Sequence, residues 1–460
     1  MVIKKNRRPN IVLITIDSLR GDYVNYENMP NLMDLIEKQG IAVFDACTAG
    51  VPTYYAFPSI LGGVYPFKYG IRIRLPKNIK PIAELLQENG YVTLGFSAGN
   101  VYTSSYFGYN RGFQFFEDYL RGLRTTKVHR NFKNKLKKCL KIPAIRNTFS
   151  LLKKKYDILR GEFFPVPTAK KVLSDAQKSL DNFVKENIPY FLWVHLMDVH
   201  EPYLVESKDL TFRERVYRSK IEPERAKIWS GLVRYLRKNE DRNPEELIEG
   251  FIDRMRRVLA YNDFLKELYT KALKSADRYV TDFIKLVQKK NSNTIFVITS
   301  DHGEEFFDEM TYGHFPLFHN DAVVKVPIIM IAPGVKSISV PEVQISTVDI
   351  YPTICEIAGV SSPEYSDGIS FINSTSELNR VVFTESLFGY VPSYLDNYIK
   401  KVLLLISAHN KHKNSSTVLD NGFVPIGSYS GWDLKREVLK HTRKIKETQK
   451  VQELSKRLTK

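Results

Sequence analysis

Cysteine is scarce in this sequence, and long apolar runs are missing. The three cysteines, Cys47, Cys139 and Cys355, are widely spaced, which argues against a disulfide framework and against a zinc knuckle. The first apolar run, Ile11–Ile16, is followed at once by Asp17, so we interpret it as a strand and not as a signal peptide. No later run approaches the length of a membrane span. The expectation is a soluble protein of the cytoplasm.

Three motifs of large enzyme classes are missing as well. The sequence has no complete Walker loop, no GxGxxG after a strand and no serine elbow. It therefore lacks the usual signatures of P-loop nucleotide hydrolases, of dinucleotide-binding oxidoreductases and of α/β-hydrolases.

Positive charge, by contrast, is abundant. The 460 residues carry a formal net charge of +17, and 43% of them are hydrophobic, which indicates a folded globular protein. The charge favours an anionic partner: a phosphate or sulfate ester, an acidic polymer or a membrane surface. We predict no nucleic-acid partner. A solvated basic face is the alternative explanation of the charge.

The central stretch of the chain has the sequence IFVITSDHGE. The run Ile295–Thr299 predicts a buried strand, and Asp301 with His302 follows directly at its carboxyl end. In open α/β sheets, ligands bind in the crevice beyond the carboxyl ends of the strands. We therefore expect this carboxylate and imidazole to converge on a metal or an ester, and we expect Glu304 or Glu305 to start a helix. A strand that ends in a capped turn is the alternative.

Two further strands end in polar residues. The first strand delivers Asp17 to its carboxyl end, and the run Tyr190–Val194 leads to His195, Asp198 and His200. A lone histidine is usually structural, but two histidines and an aspartate at a strand end favour a functional site. We therefore expect these groups to face the cluster formed by Asp301 and His302.

Loops supply the remaining candidates. Thr53 follows a loop rich in glycine and proline, where its hydroxyl either caps a helix or serves as a nucleophile at a helix start. His314 and His319 fall in a loop after the central strand. Carboxylates and imidazoles together suit a divalent cation such as Mn, Zn, Mg or Ca, which lowers the pKa of a hydroxyl and neutralises an ester oxygen.

The rest of the sequence alternates between helical and strand patterns. Helices are predicted over 31–39, 82–89, 169–187, 259–289 and 348–358, and strands over 41–46, 91–96 and 326–331. Residues 211–239 are charged and without a clean period, so we interpret them as a surface excursion. The pattern as a whole predicts an α/β fold.

Taken together in chain order, these segments resemble the sulfatase family of the alkaline-phosphatase-like superfamily over residues 9–375. The matching segments are PNIVLITIDSLRGD, MPNLMDLIEKQGI, SILGGVYPFKYG, IAELLQENGYVT, GFQFFEDY, PYFLWVHLMDVHEPY, FVITSDHGEEF, VPIIMIAPG, STVDIYPTICEIAGV and DGISF. The resemblance implies a large mixed, mainly parallel sheet sandwiched by helices, with a smaller C-terminal subdomain. It also implies a metal-dependent hydrolase that acts on sulfate or phosphate esters.

The resemblance assigns a role to each matching position. It implies that the metal ligands are Asp17, Asp301 and His302, that His200 and His314 contact the transferred anion or the leaving group, and that Thr53 is the nucleophile, with Ser59 as the fallback. Asp198, His195 and His319 are further candidates for the site. The anionic ester substrate is expected on a glycan or a lipid.

The sequence departs from the family pattern at three places. Formylglycine sulfatases need Cys or Ser followed by x-P-S-R, whereas Thr53 is followed by Tyr-Tyr-Ala-Phe; Ser18 replaces the second aspartate of the usual pair; and FSAGN replaces the lysine-containing G-K-W-H segment. Threonine cannot form formylglycine, so the chain resembles the threonine-nucleophile members of the superfamily. The alternatives are a phosphoglycerol or phosphoethanolamine transferase and a non-catalytic protein that binds an anionic glycan or lipid.

We predict a catalytic domain at 9–375, a C-terminal subdomain at 376–434 and a basic helical tail at 435–460. A basic insertion at about 121–160 interrupts the catalytic domain. The basic insertion and tail suit a peripheral contact with membrane headgroups, and a solvated basic helix pair is the alternative.

Overall fold

The computed structural model describes most of the chain. The described residues are 8–68, 74–120, 156–160, 165–183, 188–238, 244–308, 312–315, 319–333, 343–372, 380, 382–388, 401–410 and 413–425. Most of the predicted basic insertion (121–155) and the predicted tail at 435–460 lie outside them. In the part of the chain that the structure describes, no helix is long and apolar enough to cross a membrane.

A seven-stranded sheet forms the centre of the protein. Its strands are β1 (Asn10–Ile16), β2 (Gly40–Cys47), β3 (Val92–Ser97), β4 (Phe115–Glu117), β5 (Tyr190–Leu196), β6 (Thr294–Thr299) and β9 (Lys325–Ile331), in the spatial order β2-β9-β6-β1-β5-β3-β4. Only β9 runs antiparallel to its two neighbours. The predicted mixed, mainly parallel sheet is confirmed.

Successive side chains of the central strands enter different cores. In β1, Val12 and Ile14 belong to one buried cluster, whereas Ile11 and Leu13 belong to a second. This alternation follows from the strand period of two, and both faces must be apolar because helices cover both. The central strands therefore read as continuous apolar runs in the sequence.

Helices pack on both faces of the sheet. The helices are α1 (Pro30–Gln39), α2 (Thr53–Gly62), α3 (Ile82–Glu88), α4 (Ala169–Phe183), α5 (Phe212–Lys238), α6 (Pro244–Met255), α7 (Asn262–Lys290), α8 (Asp321–Val324) and α9 (Ile350–Ala358), with one further helical turn at 156–160. Residues of α1, α4, α5, α6 and α7 enter the first cluster, and residues of α2, α3 and α9 enter the second. The predicted layers of helix, sheet and helix are therefore present.

Two small antiparallel sheets complete the described part of the fold. One pairs β7 (Glu305–Phe306) with β8 (Tyr312–Gly313), and the other contains β10 (Val382–Phe388), β11 (Lys401–Asn410) and β12 (Lys413–Pro425). Strand β10 also contacts the loop before α2, because the Glu385 amide donates to the carbonyl of Ala49 at 3.0 Å. The exact domain boundaries given above stay predictions.

Two local predictions are wrong. Glu304 and Glu305 do not start a helix; both are buried, and Glu305 begins β7. Residues 211–239 do not form a surface excursion, since α5 covers Phe212–Lys238 and buries Arg218 and Arg225. The sequence shows no clean apolar stripe there because part of the buried face of α5 is made of charged side chains that find partners inside the protein.

We predict that Leu232→Ala lowers the free energy of unfolding by about 2–5 kcal/mol, because Leu232 is 1% exposed and its removal leaves a cavity under α5. Lys227→Ala, on the exposed face of the same helix, should change it by less than about 0.5 kcal/mol. Urea unfolding of both variants tests this. Equal effects would mean that α5 does not pack as described.

Candidate active site

The site lies where β1 and β6 end. These strands are parallel neighbours, with Thr15 opposite Thr299, so the residues that follow them meet at one edge of the sheet. Ligand atoms of Asp17, Asp301 and His302 lie within 4.8 Å of one another, and all three residues are fully buried. The sequence prediction that these three groups converge agrees with the structure.

Asp17 is held by three side chains. Its Oδ1 accepts a hydrogen bond from the Ser18 hydroxyl at 3.2 Å, and its Oδ2 accepts one from Asn100 Nδ2 at 3.1 Å and lies 3.3 Å from His195 Nε2. Burial alone would raise the pKa of Asp17, but His200, His195 and His302 together lower it below its ordinary value. Asp17 is therefore ionised, and His195 supports it from inside the sheet.

Asp301 and His302 complete the cluster. Asp301 Oδ1 accepts from the backbone amides of Ser18 at 3.3 Å and of His302 at 3.1 Å, whereas the buried Oδ2 accepts no hydrogen bond. His302 Nδ1 lies 2.9 Å from the carbonyl of Gly303, which leaves Nε2 directed at the cluster. Burial lowers the pKa of His302 and thus favours the neutral, ligating form of the imidazole.

These three residues fit a divalent cation. Asp301 Oδ2 is a buried carboxylate oxygen without a hydrogen bond, and His302 Nε2 lies 3.4 Å from it. Two carboxylates in a buried space repel each other unless a positive charge lies between them. Oxygen and imidazole donors suit Mn, Zn, Mg and Ca to different degrees, so the donor set fits the class of ion without selecting one.

Thr53 stands beside this cluster at the first position of α2. Its Oγ1 lies 3.1 Å from His302 Nε2, and the residue is 4% exposed. The start of a helix presents backbone N–H groups that stabilise negative charge on oxygen. Ser59 lies six residues further along the same helix, about 9 Å along its axis, so Thr53 is the better-placed hydroxyl.

His200 and His314 form the opposite wall of the site. Their ring centroids are 4.9 Å apart, and the ring of His314 stacks on that of His302 at 4.3 Å. Burial opposes protonation of His200, but Asp17 and Glu304 raise its pKa above the ordinary value. Burial and the neighbouring His200 lower the pKa of His314 to about 4. The pKa values of the two histidines are therefore shifted in opposite directions.

Two of the further candidates lie outside the cluster. Both carboxylate oxygens of Asp198 accept from the amide of Ala169, at 3.0 and 2.8 Å, so Asp198 caps the start of α4. His319 Nε2 lies 2.7 Å from the hydroxyl of Ser386, and burial lowers the pKa of His319 to about 3. Asp198 and His319 thus have structural contacts with Ala169 and Ser386.

Two residues at the site were missed in the sequence. Asn100 belongs to the FSAGN segment and binds Asp17 where the family pattern has its lysine segment. Glu304 is fully buried, its Oε2 lies 3.2 Å from His314 Nδ1, and burial raises its pKa to about 7. The departure at FSAGN was visible in the sequence, whereas a helix prediction hid the role of Glu304.

The fold and the site together define an α/β protein with a mainly parallel sheet, in which a candidate metal cluster and a hydroxyl lie at the carboxyl edge of the sheet. A family model described as Sulfatase matches residues 9–360. The chain therefore belongs to the Sulfatase family.

Individual relatives match either over a short part of the chain or over most of it at low sequence identity. Arylsulfatase K of Mus musculus is 37% identical over 103 residues, which is 22% of this chain and only 17% of the mouse protein. A phosphonate monoester hydrolase of Agrobacterium radiobacter is 15% identical, with a TM-score of 0.58 over 95% of each chain. The lipoteichoic acid synthase LtaP from Listeria monocytogenes is 14% identical, with a TM-score of 0.54 over 95% of this chain and 92% of that one. These structures share the fold.

We predict that Asp198→Asn gains stability relative to wild type as the pH rises. Burial raises the pKa of Asp198 from 3.8 to about 7 in the folded state, so the folded protein binds a proton that the unfolded chain has lost. The free energy of unfolding of wild type therefore falls as the pH rises from the unfolded-state pKa to the folded-state pKa of Asp198. Asparagine stays neutral over this range, so the variant should gain on the order of 1 kcal/mol or more relative to wild type. Urea midpoints at about pH 5 and about pH 8 test this. A difference that does not grow with pH would contradict it.

Proposed function

We propose that this protein is a metal-dependent hydrolase of sulfate or phosphate esters in which Thr53 is the nucleophile. The observation that carries the proposal is the position of the Thr53 hydroxyl, 3.1 Å from His302 and next to two buried carboxylates. A buried hydroxyl at a helix start, beside a cluster that suits a cation, has the arrangement that ester cleavage by a threonine requires.

Asp17, Asp301 and His302 would hold the cation. When bound, the cation would polarise an ester oxygen and lower the pKa of a neighbouring hydroxyl. Thr53 Oγ1 would lose its proton to water and attack the sulfur or phosphorus centre. The bond to the leaving oxygen would break, and that oxygen would take a proton from His200. The backbone amides at the start of α2 would stabilise the negative charge on the transferred group.

His200 and His314 would serve the leaving group and the transferred anion. The raised pKa of His200 favours its protonated form, which suits a residue that gives a proton or binds an anionic oxygen. Glu304 accepts from His314 Nδ1 and so directs Nε2 of His314 away from itself. Water would then release the transferred group from Thr53; an alcohol in place of water would make the protein a transferase.

The substrate class rests on the family and on the nucleophile. The curated relative from mouse is named a sulfatase, but the match covers 17% of that protein, and threonine cannot become formylglycine. We therefore keep both sulfate and phosphate esters, with the anionic group on a glycan or a lipid, as proposed substrates. The cytoplasmic location and the peripheral membrane contact stay predictions.

The test is turnover of a chromogenic sulfate monoester, a phosphomonoester and a phosphodiester by metal-stripped protein resupplied with Mn, Zn, Mg or Ca. We predict that Thr53→Ala lowers turnover by about 10³-fold or more, since loss of a nucleophile removes the reacting group. Ser59→Ala, which removes another buried hydroxyl of α2, is the matched control and should keep most of the activity. Substantial turnover by Thr53→Ala would overturn the nucleophile assignment. Sulfate-only turnover would narrow the substrate class.

A further inference from the structure

We infer that Arg225 is a positioning residue that fixes the relative placement of His200 and His314, a role that rests on the proposed function of these two histidines. Arg225 lies on α5 and is 1% exposed. Its guanidinium contacts the two segments that carry the histidines. No feature of the sequence pattern marked it as part of the site.

The guanidinium of Arg225 makes polar contacts with three residues inside the protein. Arg225 Nη2 pairs with Glu201 Oε1 and donates to the hydroxyl of Tyr312 at 3.3 Å, while Nη1 donates to Glu222 Oε1 at 3.3 Å. Glu222 belongs to the same helix, so this third contact keeps the guanidinium in place. The contacts with Glu201 and Tyr312 join two segments that are distant in sequence.

Each of these two anchors leads directly to a histidine. Glu201 follows His200, and His200 Nδ1 donates to the carbonyl of Glu201 at 2.6 Å. Tyr312 begins β8, two residues before His314, and its hydroxyl lies 2.7 Å from that of Tyr203. The side chain of Arg225 therefore contacts both histidine-bearing segments, whose histidine rings lie 4.9 Å apart.

The same face of α5 holds the His200 segment at other points. Trp229 Nε1 donates to Glu201 Oε1 at 3.1 Å, and Arg218 Nη2 donates to the carbonyls of Pro202 and Tyr203. The ring of Trp229 also reaches the segment of His314, because it stacks on the ring of Phe315 at 4.8 Å. Arg225 differs from Trp229 because its contacts with both segments, through Glu201 and Tyr312, are polar.

Arginine suits this position and lysine does not. The planar guanidinium presents several donors in a fixed fork, so it can serve a carboxylate and a hydroxyl at once, whereas an ammonium is a single point charge on a flexible stem. A displacement of about 1 Å in a catalytic group can cost about 10²-fold in rate. Loss of the fork should therefore affect leaving-group chemistry before it affects metal binding, since Arg225 has no described contact with Asp17, Asp301 or His302.

The test compares Arg225→Lys and the milder Tyr312→Phe with wild type in the full-length protein. Arg111→Lys is the matched control, because Arg111 joins the carbonyls of Pro76 and Ile79 to Glu84 without touching the site. One readout is turnover of two aryl esters that share the same anionic group but differ in the basicity of the leaving phenol. The other is the ring resonances of His200 and His314 in histidine-labelled protein, assigned with His200→Gln and His314→Gln.

We expect Arg225→Lys to lower kcat by about 10²-fold for the basic phenol and by less than about 10-fold for the acidic phenol. Tyr312→Phe should change kcat in the same direction. Both variants should shift the ring resonances of His200 and His314 and leave those of His319 unchanged. Arg111→Lys should change neither kcat nor the resonances. Equal losses on the two phenols, or unmoved resonances, would overturn the inference. The resonances can be measured without turnover. If wild type turns over no ester but Arg225→Lys still shifts the His200 and His314 resonances, the proposed function is wrong and the positioning role of Arg225 stands.

Discussion

The burial of two carboxylates beside one another is the constraint on which the rest of the site depends. Asp17 and Asp301 are fully buried, and the parallel pairing of β1 with β6 brings them to the same edge of the sheet. In a medium of low polarity, two such charges repel strongly unless protons or cations intervene. The surrounding groups partly compensate: Asn100, the Ser18 hydroxyl and two backbone amides donate to these carboxylates, and His195 Nε2 lies 3.3 Å from Asp17 Oδ2. Asp301 Oδ2 remains without a hydrogen bond. That remaining acceptor is the physical reason to expect a bound cation.

Different elements of the fold position the different residues of the site. The sheet itself positions the two carboxylates and His302, the start of α2 positions Thr53, and the segments around His200 and His314 form the opposite wall. Helix α5 lies behind this wall and contacts it through buried arginines. A buried guanidinium is costly unless its charge is paired and hydrogen-bonded, so Glu201, Glu222 and Tyr312 are what allow Arg225 to be buried.

The sequence predicted the parts of the site that follow buried strands. Asp17, Asp301 and His302 were identifiable because each stands just after a continuous apolar run, and such runs end at one edge of a parallel sheet. Asp198 was assigned to the site on the same grounds, but its carboxylate turns back to cap α4, since a neighbouring helix start competes for it. The position of a residue in the sequence predicts that it follows a strand, but it does not predict which way its side chain points.

The sequence did not predict the buried positions that are occupied by charged side chains. Helix α5 lacks a clean apolar stripe, because Arg225 and Arg218 occupy positions where the pattern expects leucine or valine, and only tertiary partners make such positions stable. Glu304 was hidden for the same reason: a glutamate after a glycine suggests a helix start, yet its carboxyl is buried against His314. Residues of this kind become visible when the elements that satisfy them are placed in space.

The most direct test of the account is calorimetric titration of metal-stripped protein with Mn²⁺, Zn²⁺, Mg²⁺ and Ca²⁺ in turn, in wild type and in Asp301→Asn. Asparagine keeps the size of the side chain and removes one of the two charges that need a cation. The account predicts one strong site in wild type for at least one of these ions, a rise in Tm when that ion is added, and loss of both in Asp301→Asn. Binding of equal strength in Asp301→Asn would contradict it, because the ion would then lie somewhere other than between Asp17, Asp301 and His302.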